Sequence, residues 1–437
     1  MAQPLLTPDK CRAYVEELLF PARHSADSAG TACIGIELEN FTYRETSGGY
    51  VPVALYGEDS LAEALLDVSR TIGGKAIYHN GNGAPVVKAI EFPDGCRFLF
   101  EPGGQVEIST TPCNTIGSLD LQLRSMQDIL FTVTPERHIR FGQEGTNPLF
   151  RGDQLRNQIP LPRYIALEKY FNAIGLYGRQ MMLQTCGLHI NMDAGFSDDV
   201  RIKRIVAANL LVPFATALFA NSAIVGGENT GYQSYRSHIW QHADPYRTGI
   251  LPVHRILESI DREDLVSLYL DFGLKAPLIF IQELGDKTLP PSCTMEYWLD
   301  HPIEGSRPAL HHLENHFSLL FPEVRLKGYL ELRTVDAPPL AWQMVPVLFY
   351  AGLLYGDQTL DKTLELLSPY AADINRLYEE ARFGLASDLL FNLSLRLVKM
   401  AMDGLSGLTG GFAGEQHVEQ LQSFVENFTV KRKSFAG

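Results

Sequence analysis

Two periodicities alternate along the chain. Over 31–43 (TACIGIELENFTY) β-branched and aromatic residues alternate with polar ones, which predicts a strand. Residues 11–20 read as a short helix. Residues 59–72 read as another, with Leu61, Ala64, Leu65 and Val68 on one stripe. Strands are expected over 86–110, broken at Glu101-Pro102-Gly103-Gly104. A long helix is expected over 115–140, with Asn114 as N-cap, and a further helix over 162–175. Then come a strand over 180–194, a helix over 199–222 and a strand over 324–335. From 340 to 430 the pattern is mostly helical. The glycines of 81–83 and 404–411 mark loops. Strands interleave with helices but not in regular βαβ units, and no repeat or low-complexity tract occurs. The expected class is α+β with an antiparallel sheet.

Two stretches, 205–227 and 338–356, carry no charge and are about long enough to span a bilayer. Each contains prolines and polar side chains, among them Asn209, Pro213, Gln343 and Pro346, so buried core helices are the expectation. The 437 residues hold 37 Lys and Arg against 51 Asp and Glu, a net charge of −14. That excess argues against a general nucleic-acid binder or an anionic-membrane binder. A polyanion such as ATP would need metal ions as intermediaries. Six cysteines without a CxxC pair are too sparse for a disulfide framework and suit a reduced compartment. Asp9, Glu16 and Glu17 precede any long apolar run, so no signal peptide is expected and the cytoplasm is the expected location.

The chemistry lies on strand faces. Glu37 and Glu39 sit two apart and so share a face; alone they fit a solvated strand as well as a cation site. Gln105 and Glu107 share another, after a Gly103-Gly104 break that allows a turn or a close ligand approach. His189, Asn191 and Asp193 alternate with Leu188, Ile190 and Met192, which points to a wet cavity. Arg325, Lys327, Tyr329, Glu331 and Arg333 share one face opposite Leu326, Leu330 and Leu332. Three cations beside one carboxylate suit phosphate, which Arg binds in bidentate fashion. Arg236 and Trp240 follow the first uncharged stretch in Gly-rich sequence, suited either to a carboxylate-bearing substrate or to an anchored loop. Hard oxygens beside cations suit Mg²⁺ with ATP phosphates. There is no Walker A loop, dinucleotide fingerprint, G-x-S-x-G or H-E-x-x-H.

The blocks GIELENF (35–41), EPGGQVEIS (101–109), RQMMLQTCGLHINMD (179–193), ATALFANS (215–222), SYRSHIW (234–240), RTGILP (247–252) and FPEVRLKGYLELRTVDAPP (321–339) occur in the order found in a known family. Over roughly 33–355 the chain resembles glutamate–cysteine ligases of the plant enzymes and their bacterial relatives. The resemblance implies a glutamine-synthetase-like fold, with a curved antiparallel sheet forming a funnel inside a layer of helices. It implies one large catalytic domain over 1–437, ATP as co-substrate, two or three Mg²⁺ ions, and γ-glutamylcysteine made through γ-glutamyl phosphate, towards glutathione or a related thiol. It implies Glu37, Glu39, Glu101, Glu107, His189 and Glu331 as metal ligands. Arg333 would contact the transferring phosphoryl group and Arg236 a glutamate carboxylate, with Glu331 taking part in catalysis. Gln105, Met181, Met182 and Trp240 would wall the pocket. Lys327 is a phosphate candidate from the alternation. Partners are expected to be small molecules only, with no nucleic acid or membrane, in a monomer or homodimer. Leu38 and Asn40 stand where the plant pattern has His and Lys, His189 stands for Gln, and 141–165 departs altogether. These departures leave the amine acceptor open, so a ligase using another amine is the second reading.

Overall fold

The computed structural model describes residues 5–21, 32–80, 85–133, 137–255, 257, 261–285, 287–408 and 411–437. Ten strands among them form one sheet. They are β1 (Ile34–Thr46), β2 (Gly49–Pro52), β3 (Lys75–Asn80), β4 (Pro85–Glu91), β5 (Arg97–Phe100), β6 (Val106–Ser109), β7 (Ile139–Gly142), β8 (Gly187–Asp193), β9 (Val324–Leu326) and β10 (Tyr329–Asp336). The order is β9-β10-β8-β1-β6-β5-β4-β3, with β2 and β7 on the far half of β1. Every pairing is antiparallel. β1 is long because it serves two neighbourhoods: its first half carries the site strands, its second half β2 and β7.

One face of the central strands is apolar, with Ile36, Leu38, Ile108, Leu188, Ile190 and Leu332 all buried. Helices Asp198–Leu218 and Met344–Leu354 supply the matching layer; the first carries its charges before residue 205 and enters the first uncharged stretch there, and the second lies inside the other uncharged stretch. The first starts on Ser197, whose side chain accepts from the Val200 N–H, with Asp198 and Asp199 in the first turn. Hydroxyl cap and acidic turn both satisfy the positive helix end. Among the described residues no helix is long and apolar enough to cross a membrane. Gly404 lies inside helix Asp388–Gly407 and not in a loop. A Cβ there would overlap the Gly352 carbonyl oxygen, so the two glycines let helices Met344–Leu354 and Asp388–Gly407 touch backbone to backbone. The loop expected over 81–83 lies outside the described residues.

Several boundaries moved for identifiable reasons. The helix expected over 115–140 spans Ile116–Thr132, and its N-cap is not Asn114 but Thr115, whose side chain accepts from the Ser118 N–H at 3.1 Å. Ile139–Gly142 is strand β7, where Arg140 stands opposite Tyr43 of β1 and forms an ion pair at 2.7 Å with Glu45, two residues further along that strand. The strand expected over 180–194 begins only at Gly187. Tyr177–Gln184 is a helix, as good helix formers such as Met181 and Met182 permit. The strand expected over 324–335 is a hairpin, β9 and β10, turning at Gly328 with φ 79°. The alternation survives because Arg325 pairs with Glu331 across the hairpin on one face. SYRSHIW lies largely in a helix, Tyr235–Ala243, capped by Ser234.

Candidate active site

The other face of the sheet lines a cavity of ≈ 630 Å³. Antiparallel register places its carboxylates side by side. Glu39 stands opposite Glu107 of β6, Glu37 opposite His189 of β8, and Glu331 of β10 opposite Asn191. His189 Nδ1 lies 3.4 Å from Glu37 Oε2, and Asn191 Nδ2 donates to Glu37 Oε1 at 3.2 Å. The ligating atoms of Glu37, His189 and Glu331 lie within 4.8 Å of one another, as do those of Glu39, Glu107 and His189. The structure thus gathers five of the six expected ligands into two overlapping sets that share His189. Glu101 belongs to neither set but stands on the same wall, at the start of the β5–β6 turn. That turn needs both its glycines. Gly104 has φ 90°, and a Cβ on Gly103 would meet the Leu183 carbonyl oxygen at 2.5 Å. The close approach expected there is to the chain's own helix end.

Burial drives the electrostatics. Burial, then repulsion from Glu39, lifts the Glu101 carboxyl to about 8. Burial, followed by the charges of Glu37 and Glu101, lifts Glu107 well above the usual range. Burial also works to lift Glu37, but the contact with His189 and the charge of Lys327 hold it below its usual value. Burial and the Arg333 charge hold the His189 imidazole below its ordinary value, so it is neutral at pH 7. Its Nε2 is buried without a hydrogen-bond partner. A neutral imidazole with an open nitrogen, set among carboxylates that repel one another, fits a divalent cation that prefers hard oxygen.

Cations occupy the neighbouring wall. Arg325 Nη2 donates to Glu331 Oε1 at 3.0 Å, while Lys327 Nζ and Arg333 Nη1 each lie 3.4 Å from the same oxygen. Burial opposes ionisation of Glu331, but Arg325, Arg333 and Lys327 together hold it well below the usual carboxylate range. A β-bulge aims Arg333. Leu332 pairs with Ile190 and Val335 with Leu188, so Arg333 and Thr334 together face the single residue His189. The Arg333 N–H donates to the Glu323 carbonyl, and its own carbonyl accepts from Arg236 Nη2 at 2.8 Å.

Gln105, Met181, Met182 and Trp240 all line the cavity. Gln105 Nε2 donates to the Thr185 carbonyl at 3.1 Å, leaving its buried oxygen without a partner. Trp240 lies between two guanidinium groups, with Arg236 and Arg333 at 5.3 and 5.2 Å from its ring centre. Arg236 departs from expectation. It is not on the cavity wall. The residue is 2 % exposed, and its guanidinium presses against Gly187 so closely that a Cβ there would lie 2.7 Å from Nη2. It holds the Arg333 carbonyl and faces Asp336 at 3.8 Å. In this structure it supports Arg333 and Trp240 from behind. Asp336 in turn accepts from Ser222 Oγ at 2.6 Å, the Asn221 N–H at 2.8 Å and Ser234 Oγ at 3.1 Å.

The sequence patterns missed Arg163. It leaves the first turn of helix Pro162–Ile174, lines the cavity, and has a buried Nε without a partner. Helix N-termini carry no alternation, so only its place directly after Pro162 at the helix start could have drawn notice.

A family model for glutamate–cysteine ligase family 2 (GCS2) matches residues 33–408. The chain belongs to this family. It is 32% identical over 320 residues to "Glutamate--cysteine ligase, chloroplastic" of Medicago truncatula, covering 70% of this chain and 61% of that one. The enzyme of the same name from Arabidopsis thaliana is 33% identical over 317 residues, covering 70% of this chain and 59% of that one. The chain thus spans about three fifths of these curated relatives. In fold it is similar to the crystal structure of glutamate–cysteine ligase from Francisella tularensis in complex with AMP. The TM-score is 0.57 with 12% identity, over 93% of this chain and 83% of that one. The likeness establishes the glutamine-synthetase-like architecture, a curved antiparallel sheet with helices outside.

Proposed function

We propose that this protein is an ATP-dependent ligase that joins the γ-carboxylate of L-glutamate to the amine of L-cysteine. In the first step a γ-carboxylate oxygen attacks the γ-phosphorus of ATP and ADP leaves. In the second the amine nitrogen attacks the acyl carbon, phosphate leaves with the acyl oxygen, and the amine loses a proton. The observation that carries this reading is the placing of two carboxylate–histidine sets beside Arg325, Lys327 and Arg333 in one cavity. Phosphoryl transfer asks the protein for alignment and charge neutralisation more than for bond chemistry. Arg333, held from behind by Arg236, is fixed to meet the transferring phosphoryl oxygens. Lys327 and Arg325 bind the outer phosphates as cations already drawn towards Glu331. Mg²⁺ is the ion we assign to Glu37, Glu39, Glu107, Glu331 and His189, where it would offset phosphate charge and orient the nucleophilic oxygen. Arg163, Gln105 and Trp240 offer unpartnered polar atoms to the carboxylate and amino groups of the amino acids. Six cysteines without a disulfide are in keeping with a reducing compartment, the cytoplasm in our reading.

The test is ADP release with MgATP and glutamate across a panel of amines, with products identified by mass spectrometry. γ-Glutamylcysteine formed far faster than other amides supports the reading. Faster turnover with another amine keeps the mechanism and changes the acceptor. No glutamate-dependent ADP release with any amine overturns it.

A further inference from the structure

Two bulges interrupt the alternation of the sheet, and each puts a cation on the cavity wall. The bulge in β10 presents Arg333. The other lies near the far end of the strand order. Ile77 of β3 pairs with Ala89 of β4, while the next residue, Tyr78, pairs with Val87, so Lys88 is the extra residue between them. Ala89 is on the cavity face of the sheet: it stands opposite Leu99, Leu99 opposite Glu107, and Glu107 opposite Glu39. Strict alternation would turn Lys88 to the other face. Within the bulge it lies beside Ala89 instead, and it lines the cavity. Among the described residues no carboxylate forms an ion pair with Lys88, whereas Arg325, Lys327 and Arg333 all lie against Glu331.

We infer that Lys88 binds the carboxylate of an amino-acid substrate that takes no part in bond making, on the glutamate donor or on the amine acceptor. The inference rests on the ligase reading. β4 is five strands along from β10, a path of about 24 Å at roughly 4.8 Å per strand. Phosphate charge is met at the β9–β10 end, by Arg325, Lys327 and Arg333, so Lys88 is left to a different anion. From β6, which carries Glu107, β4 is only two strands away, about 10 Å. An amino acid with its reacting group at the Glu39–Glu107 set covers part of that distance, and the flexible lysine stem covers the rest. Burial, then the charges of Lys88 and Arg163, hold the His79 imidazole of β3 below its ordinary value, so it is neutral at pH 7 and adds no charge at this end. Among the described residues, Arg163 and Lys88 are then the lining cations outside the phosphate wall, one for each of the two unreacting carboxylates that glutamate and an amino-acid acceptor bring.

The test compares Lys88→Met, which keeps the stem and removes the charge, and Lys88→Arg, which restores the charge, with the wild-type full chain. Steady-state ADP release gives KM for glutamate, cysteine, cysteamine and MgATP. The expected result for Lys88→Met is a KM raised roughly tenfold for glutamate or for cysteine, with kcat moved far less. A rise for glutamate assigns Lys88 to the donor. A rise for cysteine but not for cysteamine, which lacks the carboxylate, assigns it to the acceptor. Lys88→Arg should recover most of the loss, and the KM for MgATP should not move. Wild-type KM values for both amino acids overturn the inference and leave the ligase reading standing, as does a rise confined to MgATP or one that Lys88→Arg does not reduce. A wild-type chain without glutamate-dependent ADP release removes the ligase reading and the inference together.

Discussion

Replacing Glu107 by glutamine should strengthen the metal-free protein while abolishing its activity. Glu107 is 7 % exposed and lies directly opposite Glu39, with ligand atoms of the Glu39–Glu107–His189 set within 4.8 Å of one another. Two full charges at that separation, at an effective dielectric near 20, repel by about 3 kcal/mol. Without a cation the protein escapes part of this by keeping protons, which is why Glu107 is pushed well above the usual range and Glu101 to about 8. Both carboxyls titrate higher folded than unfolded. Their protonated forms therefore stabilise the native state fully at low pH, and that stability is lost as pH rises through the folded values. Wild type without metal should weaken from pH 5 to pH 8. The amide introduced by Glu107→Gln stays neutral throughout. The variant should match wild type near pH 5 and exceed it by about 1–3 kcal/mol near pH 8. Added Mg²⁺ should raise wild-type stability more at pH 8 than at pH 5, since the ion displaces protons, and should do less for the variant, which keeps only the Glu37–His189–Glu331 set whole. Thermal and urea unfolding at both pH values, with chelator or Mg²⁺, read this directly. A variant less stable than wild type at pH 8 without metal, or one with normal ADP release, would refute the assignment of Glu107 to an electrostatically loaded cation site.

Three further outcomes follow from the packing. Asp336→Asn removes the buried charge that faces Arg236 and accepts from Ser222, Asn221 and Ser234. Urea unfolding should show a loss of about 2–4 kcal/mol, and a loss below about 1 kcal/mol would mean the Arg236 guanidinium is satisfied without it. Gly404→Ala drives a Cβ into the Gly352 carbonyl oxygen, so the helix pair must separate at a cost of about 1–3 kcal/mol; an unchanged melting temperature would rule out that contact. Gly104→Ala forces a side chain into φ 90° and onto Gln158 Nε2, shifting the turn that carries Glu101. It should lose about 1–2 kcal/mol of stability and roughly tenfold or more in kcat; kcat at the wild-type level would show that Glu101 is dispensable.

The sequence by itself determined which residues share a strand face. Alternation has a period of two wherever a chain is extended, so Glu37 with Glu39 and Glu331 with Arg333 could be read without any partner strand, whereas Arg325 joins that face through pairing across the hairpin. It also determined the two uncharged helical segments, 205–218 and 344–354, because a helical segment that is apolar all round must be buried. What it could not state is which faces meet. Glu39 finds Glu107 and Glu37 finds His189 only through register between strands far apart in the chain, a matter of tertiary pairing. Helix or strand for Met181 and Met182 was decided in the same way: a run of helix formers beside an alternating segment leaves the boundary to packing. Arg236 shows the limit most clearly. A charged residue beside an aromatic reads as a ligand contact, yet a bulge in β10 presents it with a backbone carbonyl and Gly187 leaves it room against the sheet. The residue types supplied the chemistry of the site; the register, one bulge and the glycine gaps decided which groups face the cavity and which stand behind it.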